Sequence, residues 1–394
     1  MTIDEMERVQ QMKVVVAIDS LKGSLPSIKA GRAIAEGIKK ADETAQVEVR
    51  PLADGGEGTV DALTYGMGGT IRRMKAVGPA GNVADCYYGV IENKKMAIIE
   101  ISSAAGITLV NGKERNPLYT TTYGVGEMIK DAIQIGCRHF VIGLGGSATN
   151  DGGVGMLQAL GFDFKDENGK PIPKGADGLA KLKTVSCDNV IPELKECHFR
   201  VACDVENPLC GDNGCSAIYG PQKGATKEMV TEMDEWLGAY AEKVKAVIPD
   251  ANPTFPGAGA AGGLGFAFQS FTDAVLESGI SIVLDETSME DYIKDADLVI
   301  TGEGRLDGQT AMGKAPMGVA HLAKKYNIPV VALAGMVTKD ATACNHDGID
   351  AYFSILQNVC TLEEAMDSTT AYENLKRTAE QVFRLWLTKE RSVE

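Results

Sequence analysis

The 394-residue sequence is long enough for two or three domains, and its 44% apolar residues suffice to build their cores. Its 39 basic and 54 acidic side chains give a net charge of −15. Such a charge argues against nucleic acid and anionic lipid as partners. No apolar run approaches the roughly 18 to 20 residues of a membrane span, so we expect neither nucleic-acid nor membrane binding.

The cysteines and the N-terminal segment predict a cytoplasmic protein. The nine cysteines are an odd number and lie mostly in apolar contexts such as that of Cys203, which is typical of buried thiols in a reducing compartment. Residues 1–11 are polar and lack the apolar middle of a signal peptide.

Both ends of the chain show alternating strands and helices. Residues 13–18 form a continuous apolar run that predicts a buried strand, Ser24 and Pro26 mark a helix start, and residues 47–51 return as a strand. This βαβ unit should have a right-handed crossover. The pattern recurs near the C-terminus, with strands predicted at 297–301, 329–334 and 351–355 and a helix at 315–326.

The middle of the chain has a different pattern. Short alternating stretches from residue 71 to 101, with turns at 78–81 and 92–94, predict antiparallel hairpins. A strand at 139–143 leads into a long glycine-rich turn and a helix at 154–160, and residues 162–169 resemble a further hairpin. We therefore predict an α/β protein with two lobes, one from residues 1–70 and 290–394 and one inserted at 71–289.

Five glycine-rich turns carry polar side chains, and several of them follow an apolar strand. Glycine allows backbone N–H groups to surround an anionic oxygen, and a following helix N-terminus favours phosphate. The pattern predicts phosphate and metal chemistry; the turns are residues 19–24, 53–59, 143–153, 257–265 and 301–310.

The first two turns carry a cation and two carboxylates. Lys22 is predicted to neutralise phosphate, and Ser24 to cap the helix while donating to the same anion, although an ordinary turn explains them equally well. Asp54 and Glu57 are separated by two glycines, which suits Mg²⁺ ligation or general-base chemistry. A hairpin turn is the alternative for Asp54.

The turn at 143–153 only approximates a dinucleotide-binding fingerprint, with Ala148 in the third glycine position. The side chains that crowd it suit triphosphate oxygens and a metal better than a bare pyrophosphate. We therefore favour phosphate binding over NAD here; the candidate residues are Gly145, Gly146, Ser147, Thr149, Asn150 and Asp151.

The turn at 301–310 contains Glu303, Arg305 and Asp307. Arg305 is predicted to grip a carboxylate or phosphate, and the two acids are metal or base candidates. The nearby sequence almost matches a Walker A loop but has Ala315 where the metal-binding hydroxyl belongs; a solvated loop is the alternative. Asp204 and Asn207 follow another apolar strand and suit a cation or a ribose hydroxyl, or a plain turn.

These motifs, in this order, resemble the signature stretches of type-1 glycerate kinases. The resemblance spans about residues 13–387, and departures are mild, with Leu21 in place of the usual Phe and Leu52 in place of the usual Met. It implies ATP-dependent phosphorylation of D-glycerate, usually to 2-phosphoglycerate, and a fold with one flavodoxin-like lobe. The matching stretches are residues 19–24, 51–59, 145–153, 203–209, 220–225 and 302–310.

With this reaction, Mg²⁺ and ATP are the expected cofactors, and the motif residues receive roles. Lys22 would neutralise phosphate charge, the loop at 145–150 would cradle phosphates, and Arg305 would anchor the substrate carboxylate. Metal candidates are Asp54, Glu57, Asp151 and Glu303, and the general base stays open among Asp54, Asp151, Asp204 and Asp307.

Other outcomes stay open. The 3-hydroxyl of glycerate is an alternative acceptor, and the oligomeric state is not predicted. Two alternative functions are an NAD-dependent hydroxyacid dehydrogenase and a non-catalytic, FMN-binding flavodoxin-like module. Because motifs occur in both lobes, we expect residues of both to serve one site.

Overall fold

The computed structural model describes residues 11–112 and 115–390. In this part of the chain no helix is both long and apolar enough to cross a bilayer. The strands are β1 Lys13–Ile18, β2 Gln46–Val49, β3 Thr70–Val77, β4 Val83–Ile91, β5 Met96–Glu100, β6 His139–Gly143, β7 Asp163–Lys165, β8 Thr184–Ser186, β9 His198–Ala202, β10 Val275–Glu277, β11 Leu298–Leu306, β12 Val330–Val337 and β13 Ala351–Ser354. The helices are α1 Ser27–Ala41, α2 Thr59–Gly66, α3 Ser102–Ala105, α4 Tyr123–Gln134, α5 Val154–Ala159, α6 Ala176–Leu179, α7 Cys215–Tyr219, α8 Lys227–Val247, α9 Ala260–Phe271, α10 Gly279–Glu286, α11 Met289–Ile293, α12 Ala315–Lys324, α13 Thr342–His346, α14 Leu362–Met366 and α15 Ser368–Glu390.

The chain divides into two compact units. The terminal unit combines the residues up to Asp54 with those from Val283 onward, and the insert unit is Gly55–Ile282. The sequence had suggested boundaries near residues 70 and 290. The first boundary lies earlier because α2 packs on β4 and β5 and thus belongs to the insert.

The terminal unit is a parallel sheet with the order β13-β12-β11-β1-β2. Numbered within the unit alone, this order is 2-1-3-4-5, that of flavodoxin-like folds. The predicted flavodoxin-like lobe is thus confirmed. β1 is buried almost throughout, as its continuous apolar run predicts for a strand covered on both faces, and α1 and α15 pack together beside the sheet.

The insert unit contains a mixed six-stranded sheet with the order β10-β9-β6-β5-β4-β3. The pairs β3–β4 and β4–β5 are antiparallel, as the alternating pattern predicted, whereas β5, β6, β9 and β10 run parallel. The hairpin expected at 162–169 is only partly present. β7 pairs antiparallel with β8, and a single bridge joins Lys165 to Pro171.

The glycine-rich stretch at 301–310 is a turn only in its second half. β11 continues through Leu306 and pairs with β12 along its length, with Arg305 opposite Met336. Gly302 permits this close pairing, since its φ is +154° and a Cβ would lie 1.8 Å from the Leu333 carbonyl oxygen. The expectation of a loop beginning at Thr301 was therefore wrong, because glycine here serves strand packing and not a turn.

Candidate active site

A pocket of about 550 Å³ lies within the terminal unit. It opens where β1 and β11 end, and the strand order reverses between these two neighbours. Open α/β sheets bind their ligands at this position, outside the carboxyl ends of the strands. Six residues predicted from the sequence line this pocket, namely Lys22, Ser24, Asp54, Glu303, Arg305 and Asp307.

Asp19 is the buried carboxyl group of the pocket. It follows β1 directly, is only 3% exposed, and accepts a hydrogen bond from the Ser20 backbone N–H at 2.6 Å. Burial, reinforced by the negative charges of Asp54 and Glu303, raises the pKa of Asp19 to about 7. A carboxyl group with this pKa exchanges a proton near neutral pH, which suits a general base.

Lys22 and Asp54 form an ion pair beside Asp19. The Lys22 Nζ lies 3.1 Å from Asp54 Oδ2, and the Lys22 side chain is 53% exposed. An exposed pair of this kind contributes little to stability. The pair places a partly exposed ammonium group at the pocket, where anionic oxygens would meet it.

Glu303 and Asp307 stand on the β11 side of the pocket and have different surroundings. Thr310 Oγ1 donates to Glu303 Oε1 at 2.6 Å, and burial raises the pKa of Glu303. Asp307 Oδ1 accepts the backbone N–H groups of Gln309 and Thr310. Asp307 therefore stabilises the turn after β11. From the sequence, Asp307 was predicted only as a metal ligand or base.

Two cations flank Asp307. Arg305 Nε lies 3.2 Å from Asp307 Oδ2, and Lys314 Nζ lies 3.6 Å from Oδ1. The Arg305 side chain remains 62% exposed, so its guanidinium can bind an anion without losing contact with Asp307. Together with Lys22, these groups give the pocket three cations.

Ser24 does not cap α1 as predicted. The helix starts after Pro26 without a side-chain cap, and Ser27 Oγ donates instead to the Ile18 carbonyl. The Ser24 Oγ is buried and has no hydrogen-bond partner among the residues that the structure describes. It is therefore available to a ligand, since a buried hydroxyl without a partner carries a desolvation cost that a ligand oxygen would relieve.

In the insert unit, the loop after β6 exposes its first glycines. Gly145 and Gly146 are exposed, and no hydrogen bond of the described residues uses their N–H groups. α5 begins only at Val154, so the loop does not open a helix as a dinucleotide fingerprint requires. The geometry thus disfavours NAD and leaves two amides available to an anion.

Thr149 and Asn150 are fully buried, and the Thr149 hydroxyl and Asn150 Oδ1 have no hydrogen-bond partner among the described residues. Lys223 Nζ donates to the Thr149 carbonyl at 2.6 Å, and Asn150 Nδ2 donates to Ser216 Oγ at 2.8 Å. Burial lowers the pKa of Lys223 to about 8. The Thr149 carbonyl and the Asn150 Nδ2 group thus tie the loop to neighbouring segments, and Ser147 is itself only 8% exposed.

Asp151 is also fully buried, and donors already surround both of its oxygens. The Thr122 N–H donates to Oδ2 at 2.8 Å, the Gly153 N–H donates to Oδ1 at 3.2 Å, and Thr122 Oγ1 also contacts the carboxylate. A metal ion would have to displace these bonds. Asp151 therefore joins the loop to α4 and is not suited to metal binding or proton transfer.

Asp204 and Asn207, the two residues predicted after β9, have different surroundings. The Asn207 amide is committed within the insert, since Nδ2 donates to the Asn213 carbonyl and Oδ1 accepts from the Tyr219 hydroxyl. Asp204 is exposed and accepts from the Gly279 N–H at 3.1 Å. Only Asp204 can readily meet a ligand.

Metal binding would depend on few protein ligands. Within residues 11–112 and 115–390, no three His, Cys, Asp or Glu side chains come together as a metal site. Asp54 is partly exposed and Glu57 is exposed. A Mg²⁺ ion that is also bound by phosphates and water would need only one or two carboxylates.

Comparisons with known proteins identify the family. The sequence profile of the glycerate kinase family matches residues 14–387. The chain belongs to the glycerate kinase family. It is thus a kinase, a phosphotransferase that acts on an alcohol group, as the resemblance of its motifs predicted.

Several relatives match nearly the whole chain. A protein named glycerate 2-kinase from Escherichia coli K12 is 45% identical over 371 residues, which cover 94% of this chain and 97% of the relative. A glycerate kinase from Halalkalibacterium halodurans is 44% identical, with 90% and 93% covered. A crystal structure of a protein assigned as glycerate kinase 2 from Salmonella typhimurium LT2 has a TM-score of 0.89 and 42% identity, and the match covers 97% of this chain and all of that one.

Sequence reasoning missed the roles of Asp19 and Lys223. Asp19 was part of the first glycine-rich turn, and its position directly after a buried strand was the available signal. Lys223 lay in a motif of the family resemblance, but only the fold shows that it reaches Thr149, 74 residues away.

Proposed function

We propose that the protein transfers the γ-phosphoryl group of ATP to the 2-hydroxyl of D-glycerate in the presence of Mg²⁺. The observation that carries the proposal is the terminal-unit pocket, which is lined by three cations and by a buried carboxyl group whose pKa lies near neutrality. Phosphoryl transfer needs charge neutralisation, positioning and a proton acceptor. The name of the Escherichia coli relative, glycerate 2-kinase, favours 2-phosphoglycerate over the 3-phosphate.

Asp19 is the proposed general base. Asp151 has donors around both oxygens, and Asp307 Oδ1 accepts two backbone N–H groups while Oδ2 pairs with Arg305, so we favour Asp19 over these two candidates. Asp19 is buried in the pocket and flanked by the Lys22–Asp54 pair, so its carboxylate would accept the proton of the attacking hydroxyl. Asp54 and Glu57 would hold Mg²⁺, which supplies a positive charge to the phosphate oxygens.

Arg305 would anchor the glycerate carboxylate, while Lys22 and Lys314 would neutralise phosphate charge. The guanidinium plane suits two-point recognition of a carboxylate, whereas an ammonium group acts as a point charge. Within the insert unit, the exposed Gly145 and Gly146 amides are proposed to bind an anionic group such as phosphate.

The test is a phosphate-transfer assay with D-glycerate and MgATP, with ³¹P NMR of the product. We expect 2-phosphoglycerate to accumulate with ADP. A 3-phosphoglycerate signal would correct the regiochemistry alone. No phosphate transfer to glycerate, or oxidation of glycerate coupled to NADH formation, would overturn the proposal.

A further inference from the structure

The terminal-unit pocket is much larger than a three-carbon acid requires. Its volume of about 550 Å³ lies within the roughly 300 to 1,000 Å³ of sites that enclose drug-sized ligands. The charged residues occupy only the part near β1 and β11. The remaining volume has no use in binding glycerate or phosphate.

The rest of the pocket is mostly apolar and lies toward the β13 edge of the sheet. Met336 lies near the end of β12, Ile355 and Leu356 follow β13, and Leu362 and Met366 belong to α14. Four of these side chains are substantially exposed, with Leu362 at 78% and Met336 at 51%. Exposed apolar groups gathered in one concave site are typical of a surface that a ligand covers.

The two parts of the pocket lie at a distance that fits one nucleotide. From β13 through β12 and β11 to β1 there are three strand spacings, or about 14 Å at about 4.8 Å each. A nucleotide laid across these strand ends would bring its phosphates to Lys22 and Lys314 and its base to the apolar part.

Two polar side chains, Thr361 and Asn374, line the apolar part, and the Thr361 hydroxyl is already bonded to Glu364. Asn374 on α15 lines the pocket, and its backbone carbonyl accepts from Gln357 Nε2, which places it beside the segment after β13. Its side-chain amide has no hydrogen-bond partner among the described residues. An amide offers one donor and one acceptor side by side, the pattern that matches the edge of adenine.

We propose that the apolar part of this pocket binds the purine base of the nucleotide and that Asn374 recognises the edge of the base. The inference rests on the proposed ATP-dependent activity. It assigns the base to the terminal unit and leaves the charged part to the phosphates and glycerate.

Cys360 lines the same part of the pocket and provides a direct probe. Its alkylation by iodoacetamide is followed by peptide mass spectrometry, with Cys187, which is exposed in the insert unit, as the internal control. We expect saturating AMP or ADP to slow labelling of Cys360 about fivefold or more, and inorganic tripolyphosphate to have little effect, because the base covers the thiol. Cys187 should react at an unchanged rate.

A variant tests the recognition of the base. Asn374→Ala should raise the KM for ATP about tenfold, the effect of losing a two-point contact to a base, and leave the KM for D-glycerate unchanged. Gln381→Ala removes an exposed amide two turns later on α15 and should leave both constants unchanged.

Two results would overturn the inference. One is an unchanged rate of Cys360 labelling at an ADP concentration that saturates the protein, and the other is equal protection by tripolyphosphate and ADP. Because labelling is measured on the unmodified protein, it tests the inference even if Asn374→Ala does not fold. Absence of phosphate transfer from ATP would instead defeat the proposed function, so the two failures are distinguishable.

Discussion

The Lys22 ammonium lies 3.1 Å from the Asp54 carboxylate, and both groups border the pocket that contains the buried Asp19. The pair joins the loop after β1 to the residue that closes the first segment of the terminal unit. In the proposed function each partner exchanges the other for a ligand, with Lys22 turning to phosphate and Asp54 to Mg²⁺. A change at Asp54 should therefore affect turnover more than stability.

We expect Asp54→Asn to lower kcat about 10²-fold or more, since the variant keeps size and hydrogen bonding but loses the charge that is proposed to hold the metal and that raises the pKa of Asp19. Steady-state kinetics at several Mg²⁺ concentrations measure the effect. Asp85→Asn is the control, because Asp85 is 88% exposed in a surface ion pair of the insert. Turnover close to that of the unmodified protein would reduce Asp54 to a turn residue.

Arg305→Lys should raise the KM for D-glycerate about tenfold and change the KM for ATP little. Lysine keeps the positive charge but loses the planar two-point contact, and a hydrogen bond to a charged group is worth about 1.5 to 3 kcal/mol. Arg384→Lys, an exposed arginine paired with Glu380 on α15, serves as control. A selective rise in the KM for ATP would assign Arg305 to the phosphates.

Asp19→Asn should stabilise the protein at pH 8 but not near pH 4. The folded state raises the pKa of Asp19 from 3.8 to about 7, so ionisation favours the unfolded chain increasingly as the pH rises through this window. The free energy of unfolding of Asp19→Asn should exceed that of the unmodified protein by an amount that levels off above pH 7 at no more than about 4 kcal/mol. Thermal unfolding of both proteins between pH 4 and 8 measures it.

Asp42→Asn provides a control of opposite sign. Hydrogen bonds from Thr44 lower the pKa of Asp42, so its ionised form stabilises the fold at neutral pH and this contribution fades as the pH falls. A difference between Asp19→Asn and the unmodified protein that does not vary with pH would contradict the raised pKa.

Gly302→Ala should destabilise the terminal unit by about 3 kcal/mol or more, because the new methyl group would collide with the Leu333 carbonyl at a positive φ. Gly238→Ala is the matched control. Gly238 lies within α8 with open space around it, so alanine there should stabilise by about 0.5 to 1 kcal/mol. Equal melting temperatures for the two variants would disprove the close approach of β11 and β12.

Local sequence patterns predicted the elements that depend on neighbouring residues. The apolar run of β1 predicted a buried strand, and the alternation around β3 and β4 predicted antiparallel pairing. Both predictions hold because burial and the two-residue period of a strand determine the residue pattern of the segment itself. The strand through Leu306 was misread because glycine is equally typical of turns and of closely packed strands. The contact between Lys223 and Thr149 could not be predicted either, since the ammonium reaches that carbonyl, 74 residues away, only in the folded chain.

The strand order of the terminal sheet also bears on biosynthesis. β1 pairs with β2 on one side and with β11 on the other. The ribosome must add about 250 residues between Val49 and Leu298. At about 5 to 20 residues per second this takes roughly 12 to 50 s. During that interval the apolar strand β1 has one open edge, while the insert can already fold. The nascent chain should therefore depend on chaperones to shield this edge until β11 emerges.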